Sequence, residues 1–161
     1  MAIPSRDHAS APTNTYFVTT SAFEGQALFQ SERVTKLLIE TILGYREQER
    51  YLLHEFVIMP NHLHLLLTPQ PGITIERAMQ FIKGGFSHRA GKELAIAREI
   101  WQRGYVDHRV RDARDYQHHR DYIRMNPVRA HLSAVPEEYA YSSAFPGVSL
   151  DPAPEGLKPI G

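Results

Sequence analysis

A run of strand-forming residues broken once by Pro-Asn places the strongest limit on the folds open to this chain. Residues 51–59 (YLLHEFVIM) and 62–67 (HLHLLL) are rich in apolar, β-branched and aromatic side chains. Pro60-Asn61 between them is a pair typical of tight turns. The segment therefore predicts a β-hairpin, and helical patterns lie on both sides of it.

Three stretches with apolar residues at helical spacing predict the helices. The first begins at Ser31, a plausible N-cap, and the second opens at Thr74. The third covers residues 113–125 and can be capped by Asp112. We expect this third helix to end near Asn126, because Pro127 disfavours a helical conformation at the residue before it.

Two further strands complete the order of elements. Residues 16–20 (YFVTT) are β-branched and aromatic, and a short strand is predicted at residues 100–106, after the second helix. The order β-α-β-β-α-β-α predicts an α+β fold, in which a split β-α-β arrangement forms an antiparallel sheet with helices packed on one face. The third long helix is additional to this arrangement.

The chain of 161 residues is long enough for one folded domain, which we predict over residues 14–146. Residues 1–13 are expected to form a flexible N-terminal tail, and residues 147–161 a Pro-rich C-terminal tail. The chain has no cysteine, which excludes disulfides, thiolate zinc sites and cysteine nucleophiles. The first fifteen residues lack an apolar stretch of signal-peptide length, and no run in the chain approaches the length of a membrane span. We therefore expect a cytoplasmic protein with no membrane partner.

The charged residues are distributed unevenly along the chain. Eighteen basic and eighteen acidic residues give a formal charge of zero, which by itself argues against a general nucleic-acid binder. Residues 77–129, however, hold twelve of the basic residues and only six of the acidic ones. This segment predicts a positive surface that binds an anionic partner less tightly as the salt concentration rises. The candidates for phosphate contacts, each with an ordinary solvated surface position as the alternative, are Lys83, Arg89, Arg103, Arg109, Arg111 and Arg124.

His62 and His64 are two residues apart in a predicted strand. Their side chains therefore point to one face of the sheet, while those of Leu63 and Leu65 point to the other. The two imidazoles could share one ligand, such as a metal ion. The pair alone leaves a second interpretation open, because histidines that are exposed or hydrogen-bonded within a core fit the same pattern.

The third predicted helix carries a polar stripe on which Tyr122 and Asn126 are one turn apart. If this stripe faces the histidine-bearing strand, two imidazoles, a carboxamide oxygen and a phenol converge; otherwise it is a solvated surface. Two imidazoles and a carboxamide leave about half the positions of an octahedral divalent cation open, which suits Lewis-acid catalysis by Mn²⁺ or Mg²⁺. A phenol is a poor nucleophile at neutral pH, and its best target is a phosphodiester polarised by a cation.

Four separated motifs carry a resemblance to a known family. They are IMPNHLHLLLTP (58–69), IWQRGYVDHRVRD (100–112), DYQHHRDYIRMNPVRAHL (115–132) and EEYAYSSA (137–144). Together they resemble the REP-associated tyrosine transposases, single-tyrosine transposases of insertion-sequence type within the HUH superfamily of single-strand nucleases. Two departures from the family pattern, at residues 104–106 and 140–141, leave the histidine, tyrosine and asparagine positions intact.

The resemblance implies a ferredoxin-like fold whose additional helix carries the catalytic Tyr122. It also implies that His62, His64 and Asn126 bind a divalent metal, Mn²⁺ or Mg²⁺. Tyr122 would cleave single-stranded, hairpin-forming DNA, giving a 5′-phosphotyrosine and a free 3′-OH that can later rejoin the strands. Such a transposase or endonuclease would act at the nucleoid, as a monomer or a homodimer. The alternatives are a non-catalytic protein of the same fold that binds DNA hairpins, and a metal-binding or hydrolytic domain unrelated to DNA.

Overall fold

The computed structural model describes residues 13–157 of the chain, so residues 1–12 and 158–161 of the two predicted tails lie outside it. The long helices and strands are, in chain order, β1 (Tyr16–Ser21), α1 (Glu32–Glu47), β2 (Tyr51–Met59), β3 (His62–Pro69), α2 (Ile75–Leu94), β4 (Val106–Arg109) and α3 (Ala113–Arg129). This is the predicted order of elements. No helix in the described range is long and apolar enough to cross a membrane.

The four strands form one sheet with the order β2-β3-β1-β4. Every neighbouring pair is antiparallel, including the central pair of β1 and β3. Each of the helices α1 and α2 therefore joins two strands that are separated by a third, as in the split β-α-β arrangement. The ferredoxin-like α+β fold is confirmed. The register places Thr19 opposite His64 and Phe17 opposite His108, which matters for the site.

The two faces of the sheet have different coverings. Leu63 and Leu65 of β3 belong to the larger core, on the face that α1 and α2 cover. Leu66 points the opposite way and packs in a smaller core with Ile123 of α3. Because side chains alternate along a strand, His64 shares the face that α3 covers. The prediction that Leu63 and Leu65 point to the face opposite His64 is confirmed.

The helices α1 and α2 begin where the sequence predicts, α1 at the predicted cap Ser31 and α2 at Thr74, which also caps its helix. The Ser31 hydroxyl accepts a hydrogen bond from the backbone N–H of Val34, and the Thr74 hydroxyl accepts one from that of Arg77. These bonds satisfy amide groups that have no partner within the helix itself. Both helices bury an apolar stripe against the sheet.

The fourth strand differs from the prediction: it runs over Val106–Arg109 instead of residues 100–106. Trp101 makes only an isolated bridge to the residue that follows β1. Trp101 is only 8% exposed and lies in the helix-side core, and its indole N–H donates to the Lys83 carbonyl at 3.0 Å. The apolar residues that suggested a strand are therefore apolar because they complete this core. The chain then turns at Gly104, which has a φ of 77°, before β4 begins.

The helix α3 also differs from the prediction, because it continues past Asn126 to Arg129. Pro127 lies inside the helix and is buried. Its missing N–H deprives one carbonyl, that of Ile123, of its helical partner. Its own carbonyl accepts a hydrogen bond from the N–H of Leu132 at 2.8 Å, which closes the last turn. Burial of Ile123 and Pro127 on one side of α3 offsets the cost of a proline within the helix.

The segment after α3 runs along the outer edge of β2. Backbone hydrogen bonds join the N–H of Ile58 to the carbonyl of Tyr141 and the N–H of Asp151 to the carbonyl of Leu53. The Asp151 carboxylate accepts hydrogen bonds from Leu53 N at 2.8 Å and from Arg46 Nε at 2.9 Å. This portion of the predicted C-terminal tail is therefore held against the sheet.

Candidate active site

His62, His64 and Tyr122 lie together on the face of the sheet that α3 covers. The ring centroids of His62 and His64 are 4.8 Å apart, and those of His64 and Tyr122 are 5.4 Å apart. The strand β3 supplies the histidines, and the middle of α3 supplies the tyrosine. One chain thus brings together the two imidazoles and the phenol that the sequence marks as candidates.

Both histidines have Nδ1 engaged and Nε2 left for another ligand. Thr19 Oγ1 lies 2.8 Å from His64 Nδ1, and Asn61 Oδ1 lies 2.8 Å from His62 Nδ1. The Nε2 atom of His64 is buried and has no hydrogen-bond partner among residues 13–157. Such outer partners fix the ring and its tautomer in metal-binding histidines. Asn61 could be suspected because it directly precedes His62, but Thr19 is identified only through the strand register.

The environment keeps both imidazoles neutral and therefore able to donate a lone pair. Burial lowers the pKa of His62. Burial, with a smaller contribution from the charge of His62, lowers the pKa of His64 to about 3. An orphaned, buried imidazole nitrogen beside a second imidazole is a donor set that fits a divalent cation.

Asn126, the third expected ligand, lies one helical turn after Tyr122 and is half-buried. Within the described residues no hydrogen bond joins its carboxamide to either histidine, whose Nδ1 atoms have the partners already given. The structure therefore groups the histidines with the phenol and leaves the carboxamide on the adjoining turn. A carboxamide oxygen on that turn would add a hard oxygen donor to the two nitrogens.

The Tyr122 ring is open to solvent on one side and held by neighbours on the others. Its side chain is 39% exposed. Its ring makes edge contacts with Phe17 and His64, at centroid distances of 5.9 and 5.4 Å. The Arg129 guanidinium lies 4.8 Å from the ring centroid and donates a hydrogen bond to the Tyr122 carbonyl at 3.0 Å. A large anionic substrate can therefore reach the phenol beside a fixed positive charge.

A buried carboxylate attaches α3 to the edge of the sheet. Glu55 of β2 is 8% exposed, and its Oε1 accepts hydrogen bonds from Arg124 at 3.2 Å and from the Ser143 hydroxyl at 2.7 Å. Its Oε2 lies 3.5 Å from Arg120 Nε. Both arginines flank Tyr122 on α3, so this ion-pair group fixes the part of the helix that carries the phenol.

The six predicted phosphate-contacting residues are in different environments. Lys83 donates to two backbone carbonyls, and Arg89 is paired with Glu40 and Glu93 in the layer of α1 and α2. Arg124 is paired with Glu55, and Arg111 with Asp115. Arg103 and Arg109 are exposed, and no ion pair engages them within the described part of the chain. Within the described residues these two are thus exposed and free of ion pairs, and the Arg89 charge lies on the side away from Tyr122.

Comparison with known proteins agrees with this fold. The model of the family described as "Transposase IS200 like" matches residues 14–126. A REP-associated tyrosine transposase of Escherichia coli K12 is 30% identical over 95 residues, which are 58% of this chain and 54% of that protein. An uncharacterised protein of Haemophilus influenzae Rd is 33% identical over 144 residues, covering 70% of this chain and 79% of its own length.

A solved structure extends the comparison to three dimensions. It is that of a REP-associated tyrosine transposase bound to a REP hairpin, and it matches 80% of this chain and 75% of its own. The TM-score is 0.68 and the sequence identity 25%. The chain spans about half the length of the E. coli relative. The family match over most of the folded part, together with this shared fold, shows that the chain belongs to the IS200-like transposase family and resembles its REP-associated tyrosine transposases.

Proposed function

We propose that this chain is a metal-dependent, single-stranded DNA transposase or endonuclease that cleaves and rejoins hairpin-forming DNA through Tyr122. The observation that carries the proposal is the Tyr122 ring 5.4 Å from that of His64, whose Nε2 is buried without a partner among the described residues. A phenol and an available imidazole nitrogen side by side suit attack on a phosphodiester. A REP-associated tyrosine transposase of similar fold was solved with a REP hairpin, which supports a hairpin substrate here.

His62 and His64, with Asn126 from the next turn of α3, are the residues that would hold Mn²⁺ or Mg²⁺. When bound, the cation would polarise the scissile phosphate and compensate its charge. Thr19 and Asn61 orient the two imidazoles through their Nδ1 atoms. The neutral state of both rings leaves their Nε2 lone pairs free for this role at neutral pH.

The reaction is a transesterification at phosphorus. The Tyr122 oxygen forms a bond to the phosphorus and its phenolic proton passes to water, while the bond to the 3′-oxygen breaks and that oxygen takes up a proton. The products are a 5′-phosphotyrosine and a free 3′-OH. A 3′-OH can attack the phosphotyrosine in the reverse sense and release Tyr122. Each step exchanges one phosphate ester for another, so no nucleotide cofactor is required.

The positive charge beside Tyr122 supports a contact with the DNA strand there, because the Arg129 guanidinium lies against the phenol ring. Arg103, in the loop before β4, and Arg109, on β4, are exposed and would contact the strand farther from the phenol. Binding should weaken with salt, because the strand's counterions are released on contact with these residues. Histidines and tyrosine of one chain already form a group, which supports a complete site in a monomer. The protein would act where chromosomal DNA is found, at the nucleoid in the cytoplasm.

The test is the formation of a covalent adduct with a labelled DNA hairpin in Mn²⁺ or Mg²⁺, detected after denaturation. The wild type should form the adduct, and Tyr122→Phe should not, although it should bind the hairpin with nearly unchanged affinity. Tyr45→Phe, a half-buried tyrosine in the α1–α2 layer, is the matched control and should retain the adduct. His62→Ala and His64→Ala should each lose metal-dependent cleavage.

Two outcomes would overturn the proposal in different ways. Cleavage by Tyr122→Phe would exclude Tyr122 as the nucleophile. Hairpin binding by the wild type with no adduct in either metal would identify a non-catalytic hairpin-binding protein of the same fold.

A further inference from the structure

A second group of potential metal ligands lies beside the histidine–tyrosine site. It consists of His108 on β4 and of Asp115 and His119 on α3. The nearest ligand atoms of the three side chains all lie within 4.8 Å of one another. Asp115 and His119 are separated by one helical turn and therefore present their side chains on the same side of α3. The strand β4 thus supplies one potential ligand and the helix α3 supplies two, and the three lie close together.

The carboxylate of Asp115 lies between the two imidazoles. Its Oδ2 is 2.9 Å from His108 Nε2, and its Oδ1 is 3.3 Å from His119 Nε2. The Asp115 and His119 side chains are only 12% and 14% exposed, whereas that of His108 is 42% exposed. Two ligands are therefore fixed inside the protein, and the third lies at the surface, where an ion could enter.

The Nε2 atom of His119 is buried and has no hydrogen-bond partner in the described part of the chain. It lies close to Asp115 Oδ1, but the two atoms do not form a hydrogen bond of acceptable geometry. An unsatisfied buried nitrogen costs free energy unless another group occupies the position it faces. A cation between His119 and Asp115 would satisfy the nitrogen and the carboxylate oxygen at once.

The surroundings hold these ligands in place before any ion binds. The backbone N–H of Asp115 donates to the N-cap Asp112 at 2.8 Å, which fixes the start of α3. The His119 ring stacks on Phe17 with a centroid distance of 4.4 Å and an interplanar angle of 17°. Phe17 is also the residue opposite His108 across the β1–β4 pair. Arg111 Nε, at 3.5 Å from Asp115 Oδ2, competes for the carboxylate but is 72% exposed and free to turn outward.

We propose that His108, Asp115 and His119 form a second divalent-metal site, separate from the His62–His64 pair and suited to Zn²⁺. Two imidazoles and one carboxylate are a donor set that Zn²⁺ binds in a tetrahedral arrangement, with the fourth position left for water or an anionic oxygen. Zinc-to-nitrogen bonds of about 2.0–2.1 Å place neighbouring ligand atoms about 3.4 Å apart. A spread of up to 4.8 Å would therefore have to close by up to about 1.4 Å, through a rotation of the partly exposed His108 side chain.

An ion at this site would join β4 to the first two turns of α3. His119 is three residues before Tyr122, and Phe17 contacts the rings of both His119 and His64. The second site would therefore stabilise the helix that carries the phenol. It does not require that Tyr122 or the first metal site be active.

The test is metal stoichiometry in the full chain, measured by equilibrium dialysis of the metal-free protein against Zn²⁺ and by the visible absorption of Co²⁺. The wild type should bind two ions. His108→Ala and His119→Gln should each lose one ion and its Co²⁺ absorption, or weaken that site at least about 10-fold, the lower end expected when a ligand or its support is lost. His118→Ala, an exposed neighbour on α3 outside the group, should still bind two.

A variant that lacks both His62 and His64 separates this proposal from the proposed function. It should retain one ion, and the same ion should be lost when His108→Ala is added. Zinc should also raise the melting temperature of this double variant, but not after His108→Ala is added, a readout that needs no DNA and no cleavage. The proposal is overturned if the double variant binds no ion, or if His108→Ala leaves the stoichiometry and the Co²⁺ absorption of the wild type unchanged.

Discussion

Replacing Thr19 with valine should weaken metal binding at His62 and His64 without disturbing the fold. Thr19 Oγ1 lies 2.8 Å from His64 Nδ1, across the central strand pair. If His64 Nε2 donates its lone pair to a metal, Nδ1 carries the proton and donates a hydrogen bond to the Thr19 hydroxyl oxygen. Valine has the same shape and remains a good strand residue, but it cannot accept a hydrogen bond.

The expected loss follows from what remains around the ring. Phe17 stacks on the His64 ring at 5.3 Å and Tyr122 contacts it edge-on at 5.4 Å, so the ring stays near its position without Thr19. The loss is then that of an outer hydrogen bond to a metal ligand. This loss typically weakens metal affinity about 10- to 100-fold, or about 1.4–2.7 kcal/mol of binding free energy.

The assay is a calorimetric titration with Mn²⁺, followed by adduct formation at several Mn²⁺ concentrations. Thr19→Val should need more Mn²⁺ for half-maximal adduct formation and should approach the wild-type rate when Mn²⁺ is in excess. Thr19→Ser retains the hydroxyl and should bind Mn²⁺ nearly as the wild type does. Thr41→Val is the matched control, because the Thr41 hydroxyl donates to Leu37 O within α1, away from the site. Wild-type Mn²⁺ affinity in Thr19→Val would refute the role of Thr19.

Three further predictions concern stability and are checked by urea denaturation. Glu55→Gln should lower the free energy of unfolding by about 2–3 kcal/mol. This loss is smaller than for a fully buried ion pair, because the two arginine partners of Glu55 can turn toward solvent. An unchanged free energy of unfolding would contradict the role of Glu55 in anchoring α3. Asp151→Asn should cost about 1 kcal/mol at pH 7. Because hydrogen bonding with Arg46 lowers the pKa of Asp151, the difference in stability between wild type and variant should disappear as the pH falls below 3.8 and through the lowered pKa of Asp151. A difference that persists in acid would contradict the ionised Asp151–Arg46 contact. Gly85→Ala should lower the free energy of unfolding by about 1–3 kcal/mol, since a Cβ there would lie 2.7 Å from Cε2 of Tyr45. Gly84→Ala places its Cβ in open space and should raise the free energy of unfolding by up to about 1 kcal/mol. Equal effects of the two substitutions would contradict the close packing of Gly85 against Tyr45.

The local patterns of the sequence predict most of the fold. The hairpin follows from two strand-forming runs around Pro60-Asn61, and the predicted caps Ser31 and Asp112 mark two helix starts correctly. The errors arise where tertiary packing decides. Trp101 is apolar because it fills the helix-side core, so its neighbourhood resembles a strand without being one, and Pro127 stays helical because its ring is buried.

The candidate site, like the fold, is predictable from the sequence only where a local pattern decides it. The sequence predicts which face of β3 carries His64, because side-chain alternation is a local property. It does not predict Thr19 as the partner of His64, or the grouping of His108 with Asp115 and His119, because both depend on strand register and on how α3 lies across the sheet.

The position of α3 couples stability to chemistry in this fold. The leucine face of the sheet is closed by two helices and can hold the fold together without contributing to the site. The opposite face is covered by α3, which also carries Tyr122, so contacts such as Glu55 with the arginines of α3 both stabilise the helix and determine where the phenol lies. Substitutions that weaken these contacts should therefore reduce cleavage before they unfold the chain, whereas substitutions in the leucine core should reduce both together.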